Sequence, residues 1–269
     1  MNYTLIIITS IIVSLQCTAQ AKGTQAYLQF LQSPDVQQIY PQQTEVFGIP
    51  IIATKNSERS AIEHARKVMI GYLDNDRDGR PDKQIIIDTL RDQNATLIIA
   101  ADEDQWEDAF ELLLEQGERV QLDVDGQSLY VDETNPTSRF DASLEEVLHL
   151  ITQKGYAYAY PSIWGEQANS QVAKLMDNAR GGHFKRVPRN YPRTAWYHYD
   201  DRSCDYSCQI TEYVYWSLTS LNGTQEHRQN EIHDEWELHS LELVKRRDPN
   251  MWQLMADPDF GLPLKHPLR

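Results

Sequence analysis

The feature that most constrains the fold is the order in which apolar patterns occur along the chain. In the first half, short apolar runs typical of strands alternate with segments of helical spacing. Ala95–Ala101 (ATLIIAA) is short enough for a buried strand, whereas Asp104–Gln116 carries apolar residues every three or four positions. After Ser143 only helical patterns follow. This order predicts an α+β fold, a mixed single domain with a small sheet and hairpin in the N-terminal half and mainly helices in the C-terminal half.

Two further stretches predict strands. Glu45–Thr54 has strand character but contains Pro50, which is tolerated best at a sheet edge. Val120–Val124 and Gln127–Val131 both alternate, and the Asp125-Gly126 pair between them is a strong signal for a two-residue hairpin turn. We therefore expect a hairpin over residues 120–131.

Helical spacing extends over much of the remaining chain, after an irregular or partly helical lead-in at 22–44. Ser143 and Glu146 have the spacing of a capping box that would begin one helix, and Gly155 would end it. Asp248 followed by Pro249 predicts the start of the last helix. The predicted helices are 57–73, 83–90, 104–116, 143–154, 167–179, 209–221, 241–247 and one from 249 onwards.

The composition and charge of the chain limit the classes of partner that it can bind. The chain has 269 residues, of which 41% are hydrophobic and 10% aromatic, which is enough to form one globular core and argues against disorder. A net charge of -15 repels nucleic acid and anionic membranes and favours cations or basic partners. The sequence has no basic stripe, so nucleic acid is excluded as a partner.

The N-terminus has the layout of a secretory signal peptide. An apolar run, Leu5–Leu15, precedes the small-residue triplet Ala19-Gln20-Ala21, although no Lys or Arg comes before the run. The run is shorter than the roughly 20 apolar residues that span a bilayer. We expect cleavage near Ala21, export to the extracellular space or periplasm, no membrane contact after cleavage, and one globular domain over 22–269.

Two cysteines, Cys204 and Cys208, remain after such a cleavage. In an oxidising compartment an even pair favours a disulfide. A zinc site is the alternative, but no second Cys/His pair at finger spacing accompanies them. The compartment therefore favours the disulfide.

An acidic stretch, YLDNDRDGRPD, begins at Tyr72 and directly follows the predicted helix 57–73. Oxygen-bearing side chains recur at Asp74, Asp76 and Asp78, then Gly79 follows, and Asp82 comes three residues later. Carboxylates at alternate positions of a tight loop suit a hard cation that takes six to eight oxygens, and glycine allows the sharp turn. The alternative is a solvated turn, but carboxylates at a helix C-terminus oppose the helix dipole and repel one another.

This stretch resembles the first six positions of the EF-hand calcium loop, D-x-D-x-D-G. The twelfth position is Ile85, where the EF-hand has a bidentate Glu, so the resemblance is greater to the shortened loops of dockerins and thrombospondin-type repeats. It implies that Asp74, Asp76 and Asp78 bind calcium directly and Asp82 through water. An affinity of roughly 0.1–1 mM would make the ion structural.

A second candidate metal site begins at Ser143. In SLEEVLH, Glu145 and His149 are four residues apart and share a helix face, with Glu146 beside the first. The alternative is that both acids favour the helix dipole and complete the capping box. The motif partly resembles H-E-x-x-H of the zincin metallopeptidases, with Glu in place of the first His. The resemblance implies zinc ligands Glu145, His149 and a downstream Glu212, with Glu146 as the general base.

The segment around Glu212 combines aromatic and acidic residues. His198, Asp200 and Asp201 could converge with Glu212 if the cysteines are linked. Aromatic and acidic side chains together can line a cleft for a sugar or a peptide, although a packed aromatic corner is the alternative. A glycosidase carboxylate pair is compatible with this composition.

Three functional hypotheses follow. The first is a secreted calcium-binding protein that is a degenerate zincin-like metal-dependent hydrolase. The second is a non-enzymatic extracellular binding or adhesion module stabilised by calcium, which contacts an extracellular partner. The third is a carbohydrate-active protein. The sequence lacks G-x-S-x-G, Walker A and G-x-G-x-x-G motifs, so it gives no support to the chemistries that these motifs serve.

Overall fold

The computed structural model describes residues 24–137 and 139–269, so the predicted signal peptide lies outside the described residues. The architecture is α+β, as predicted, with one small mixed sheet in the N-terminal half and mostly helices thereafter. The strands are β1 (Gln42–Val46), β2 (Ile49–Ala53), β3 (Leu97–Ala100) and β4 (Gln127–Tyr130).

The helices confirm most of the periodic segments, with boundaries shifted by a few residues. They are α1 (24–31), α2 (Pro34–Ile39), α3 (Arg59–Leu73), α4 (Gln84–Asp92), α5 (Glu103–Arg119), α6 (Ser143–Leu150), α7 (Ala157–Ala159), α8 (Pro161–Trp164), α9 (Gln171–Ala179), α10 (Tyr206–Leu221), α11 (Gln229–Ile232), α12 (Leu241–Arg247) and α13 (Pro249–Met255). A 3₁₀ turn, Val131–Glu133, follows β4, and a π-helical segment, Ile151–Tyr156, continues α6.

The four strands lie in the order β1-β2-β3-β4. β1 is antiparallel to β2, and β2, β3 and β4 are parallel. The single strand predicted over 45–54 is wrong, because Phe47 (φ +50°) and Gly48 (φ +77°) reverse the chain within it and form the hairpin between β1 and β2. Pro50 is not in an edge strand. It is the second residue of the interior strand β2 and precedes Ile51, where the pairing with β3 begins, so its missing N–H removes no bond of the parallel ladder.

The hairpin predicted over 120–131 is also wrong, since residues 120–124 form no strand and β4 pairs with β3 instead. The Asp125 carboxylate accepts the amide hydrogen of Gly126 and pairs with Lys154. Gly126 allows a close approach, because a Cβ there would lie 2.5 Å from the side chain of Ile98. The Asp-Gly pair thus serves packing against β3 rather than a turn between two strands.

The sheet has a core on each face. On one face, α3 and α4 pack against Ile51, Leu97 and Ile99, and this core continues into the C-terminal helices. On the other face, α1, α2 and α5 cover Ile52 and Ile98. Because successive strand residues point to opposite faces, the all-apolar β3 is buried on both sides.

The start of α6 is fixed by Asp141 rather than by the predicted capping box. The hydroxyl and amide of Ser143 donate to Asp141 Oδ1 at 2.6 and 3.2 Å, and the amide of Asn135 donates to it at 2.9 Å. His64 on α3 contacts Asp141 Oδ2 at 2.6 Å. Ser143 therefore lies one residue inside the helix, and Asp141 joins α3 to the beginning of α6.

The start of α10 is fixed by a disulfide and a side-chain cap. Cys204 and Cys208 are linked, with their Cα atoms 5.3 Å apart, which confirms the predicted pair. Between them Asp205 accepts the Cys208 amide hydrogen at 3.0 Å. From Gln209 to Leu221 every residue of α10 is buried, so this helix forms the centre of the C-terminal half.

No helix in the described ranges, 24–137 and 139–269, is both long and apolar enough to cross a membrane.

We predict that Asp141→Asn destabilises the fold by about 2 kcal/mol at pH 7, because three protein donors and His64 surround this carboxylate. Burial alone would raise the pKa of Asp141, but the hydrogen bonds from His64, Ser143 and Asn135 lower it. A pKa lowered in the folded state gives stability above the unfolded value of roughly 3.9, and this stability is lost as pH falls through the folded value. Urea unfolding should therefore separate the variant from the wild type at pH 7 and less so near pH 3.

The control is Asp132→Asn. Asp132 is exposed and pairs with the exposed Arg139, so its loss should change the unfolding free energy by less than about 0.5 kcal/mol. Equal effects of the two substitutions would show that Asp141 does not anchor α6.

Candidate functional site

Two helices supply the side chains of the principal candidate site. Glu145 and His149 lie one turn apart on α6, and Glu212 lies on α10, which packs against α6. One ligand atom from each of these three residues lies within 4.8 Å of the other two. Ligand atoms this close can share one ion at bond lengths of about 2 Å after small side-chain adjustments.

His149 is the most informative residue of this group. It is 6% exposed, and its Nε2 lies 3.7 Å from Glu212 Oε2. That distance exceeds a hydrogen bond, and Nε2 has no hydrogen-bond partner among the described residues. A buried ring nitrogen without a partner costs free energy, so this atom is in position to bind a ligand.

The surrounding charges are those of a cation site. Burial alone would lower the pKa of His149, but Glu212 and its neighbouring carboxylates raise it to about 10. Burial raises the pKa of Glu212 to about 7, and His149 opposes this rise. Burial also raises the pKa of Glu145. Because buried carboxylates outnumber the single imidazole, a divalent cation would relieve their repulsion.

Glu146 lies on the other side of the imidazole. Its Oε2 is 3.7 Å from His149 Nδ1 and accepts a hydrogen bond of 2.5 Å from Gln127 Nε2, at the start of β4. A carboxylate on this side of a ligating histidine can orient the ring and determine which nitrogen carries the proton. The structure thus brings Glu146 to the site but outside the group that could share one ion.

Two tyrosines support the carboxylates. The Tyr199 hydroxyl lowers the pKa of Glu212 and the Tyr215 hydroxyl lowers that of Glu145, each against the larger effect of burial. The Tyr215 ring also meets the His149 ring edge-on, with centroids 5.5 Å apart at 73°. The sequence did not single out Tyr215, although its place three residues after Glu212 on the same helix is a usable signal.

His198, Asp200 and Asp201, which the sequence suggested could converge with Glu212, do not belong to this group. His198 Nε2 lies 4.0 Å from Glu237, and the Asp201 carboxylate accepts the Ser203 amide and hydroxyl hydrogens. Among the described residues, neither these two nor Asp200 joins a cluster that could share one ion.

The acidic loop forms the second cluster, from Asp74, Asp76 and Asp78. Asp74 is buried at the end of α3, and its two oxygens accept the amide hydrogens of Asp78 and Gly79, both at 3.0 Å. Gly79 has φ +86°, and a Cβ there would meet nothing within 4 Å, so conformation rather than space requires glycine. These bonds hold three carboxylates together at the C-terminal end of a helix.

Asp82 lies beside this cluster but does not join it. Its Oδ2 accepts the Asn75 amide hydrogen at 2.8 Å, and its own amide closes the loop onto the Leu73 carbonyl at 2.8 Å. Burial raises the pKa of Asp82, and Asp76 and Asp74 add to the effect. Asp82 therefore lies outside the set of three side chains that could share one ion.

Comparison with protein-family models, with curated proteins and with solved structures finds no match to the chain.

We predict that the metal-free protein binds one transition-metal ion at the Glu145–His149–Glu212 group. His149→Gln should weaken binding of Co²⁺ or Zn²⁺ more than 100-fold, because it removes the ring nitrogen, and Glu212→Gln should weaken it as well. Competition against a chromophoric chelator measures the affinity.

The control is His183→Gln, which removes a histidine that pairs with Asp177 outside the group. The affinity of this variant for Co²⁺ or Zn²⁺ should equal that of the wild type. Unchanged binding in both His149→Gln and Glu212→Gln would place the ion elsewhere.

Proposed function

We propose that the chain is a metal-dependent hydrolase of zincin-like chemistry, in which Glu145, His149 and Glu212 hold the ion. The observation that carries this proposal is the buried Nε2 of His149, which has no partner in the described part of the chain and faces carboxylates from two helices. Zinc suits such a set of one imidazole and two carboxylates. When bound, it would act as a Lewis acid and activate water.

Glu146 is the proposed general base. It is the carboxylate next to the ligands that stays outside the ligand group, and its side chain is 24% exposed, so water can reach it. Gln127 holds its Oε2, and no hydrogen bond from a described residue reaches its Oε1, which can accept a proton.

The charge around the site restricts the substrate. Glu133, Glu166 and Glu235 are half-buried carboxylates whose pKa values burial raises, and each interacts electrostatically with Glu146, His149 or Glu212. An anionic substrate would be repelled here. Neutral and basic peptides and esters are therefore the substrates to test first.

We predict that Glu146→Gln lowers kcat at least 100-fold on a peptide or ester that the zinc-loaded wild type hydrolyses, while one zinc ion per chain is retained. The substitution preserves shape and the neighbouring Gln127 contact but removes proton acceptance at neutral pH. Zinc content and kcat are measured on the same preparation.

Each alternative result has a definite meaning. If Glu146→Gln loses zinc but keeps kcat at full loading, Glu146 orients His149 and is not the base. If the zinc-loaded wild type binds one ion and hydrolyses none of a broad peptide and ester library, a non-enzymatic module replaces the hydrolase.

A carbohydrate-active enzyme is the second candidate, because oxygens of Glu145 and Glu212 lie within 4.8 Å of each other. Retaining glycosidases place two carboxyl groups about 5–5.5 Å apart. Such an enzyme needs no ion, so glycoside hydrolysis that survives complete removal of metal would favour this candidate.

We further propose that the acidic loop binds calcium as a structural ion in an exported protein. The D-x-D-x-D-G spacing, the clustering of Asp74, Asp76 and Asp78, and the disulfide all support this proposal. Mass spectrometry of the exported protein tests the location, and a mature N-terminus that keeps residues 1–21 would contradict cleavage near Ala21.

We predict that 10 mM calcium raises the free energy of unfolding by roughly 1–3 kcal/mol, as mass action requires for a dissociation constant of about 0.1–1 mM. Asp76→Asn should abolish most of this increment, because it removes one charged ligand while keeping an acceptor for the Asp78 amide. The control is Asp123→Asn, an exposed position outside the loop, which should keep the full increment. An equal calcium effect in both variants would contradict the site.

A further inference from the structure

Tyr215 contacts two of the three residues of the proposed ion site. It is fully buried on α10, three residues after Glu212. Its ring packs edge-on against His149, and its hydroxyl acts on Glu145, whose pKa it lowers against the effect of burial. The helix that carries one proposed ligand therefore also supports the other two, which come from α6.

The surroundings of the Tyr215 hydroxyl determine where its hydrogen points. Gln225 Nε2 donates to Tyr215 Oη at 3.2 Å. The orientation of the Gln225 amide is unambiguous, because Arg228 Nη1, which can only donate, contacts Gln225 Oε1 at 2.8 Å. The hydroxyl thus receives a hydrogen from Gln225, and Arg228 also lies within donating reach of it.

A hydroxyl has one hydrogen to donate. Since Gln225 and Arg228 are donors, the Glu145 carboxylate is the acceptor for that hydrogen among the described groups that interact with this hydroxyl. An O–H···O⁻ bond of this kind would be charge-assisted and directional. Arg228 is itself held by Glu231, at 2.5 Å, and lies 3.6 Å from the centroid of the Phe140 ring.

We propose that Tyr215 is a positioning residue of the ion site, which directs a Glu145 oxygen and the His149 ring toward the position that Glu212 also faces. The inference rests on the proposed ion ligands but not on hydrolysis. Partners that orient metal ligands typically contribute 10- to 100-fold to metal affinity. A buried tyrosine with a purely structural role would contribute to stability and leave the affinity unchanged.

The test compares Tyr215→Phe with Tyr213→Phe. Tyr213 is equally buried on the same helix, and its hydroxyl donates to Asp248 at 2.6 Å, away from the ion ligands. Both variants lose one buried hydroxyl. We expect Tyr215→Phe to bind Co²⁺ 10- to 100-fold more weakly and to change the Co²⁺ absorption spectrum, whereas Tyr213→Phe keeps the wild-type affinity and spectrum.

A second variant leaves Tyr215 in place. Gln225→Glu preserves the shape and the acceptor for Arg228 but replaces the donor with a carboxylate, which competes with Glu145 for the hydroxyl hydrogen. We expect the same weakening of Co²⁺ binding with the Tyr215 ring unchanged. This variant decides the question if Tyr215→Phe does not fold.

Three outcomes would overturn the inference. Wild-type affinity in Tyr215→Phe would do so, as would wild-type affinity in Gln225→Glu. An equal loss of affinity in Tyr213→Phe would show that loosening α10 is sufficient. If the wild-type protein itself binds no ion, the proposed function fails instead, and this result is distinguishable because it needs no variant.

Discussion

The packing of α6 against α10 buries one imidazole among carboxylates from both helices, and much of the structure holds these helices in that arrangement. Burying like charges together is unfavourable unless a cation or a hydrogen-bond network compensates them. Asp141 anchors the beginning of α6, and the Cys204–Cys208 disulfide and Asp205 anchor the beginning of α10. Each helix is thus held next to the residues that it contributes to the site.

The sheet also contributes to the site, although none of the proposed ligands lies on it. Gln127, the first residue of β4, donates to Glu146, so the edge of the parallel sheet is bonded to α6. On the opposite side, Gln153 in the π-helical segment donates to Thr211, which donates to Glu166. π-Helical segments occur frequently at functional sites. Here the segment places Gln153 beside α10, where it contacts Thr211, the residue that precedes Glu212.

Much of the fold could be predicted from local patterns, because helical periodicity and capping act within a few residues. The helix over 241–247 has the predicted boundaries, and Asp248 caps the following helix by accepting the Met251 amide hydrogen. The pairing of Glu145 with His149 is likewise set by one helical turn. Glu212 could be proposed as a partner because it lies on a predicted helix downstream of His149, where the zincin resemblance places a further ligand.

The predictions that were wrong concern features whose conformation depends on tertiary contacts. Asp125-Gly126 has the local signal of a hairpin, but the close approach of Ile98 and the pairing of β4 with β3 determine its conformation. Ser143 matched a capping box, yet Asp141 provides a better acceptor two residues earlier. The role of Tyr215 depends on Gln225 and Arg228, whose donors meet its hydroxyl only after the chain has folded.

The acidic loop also depends on the other end of the chain. Asn75 exchanges two hydrogen bonds of 2.9 Å with the backbone of Lys265, 190 residues away, and Gly71 has no Cβ where the Pro267 carbonyl packs. The loop therefore remains incomplete until Lys265 and Pro267 have folded against it. Non-local contacts of this kind slow folding, so the acidic loop belongs to the part of the fold that local sequence cannot form by itself.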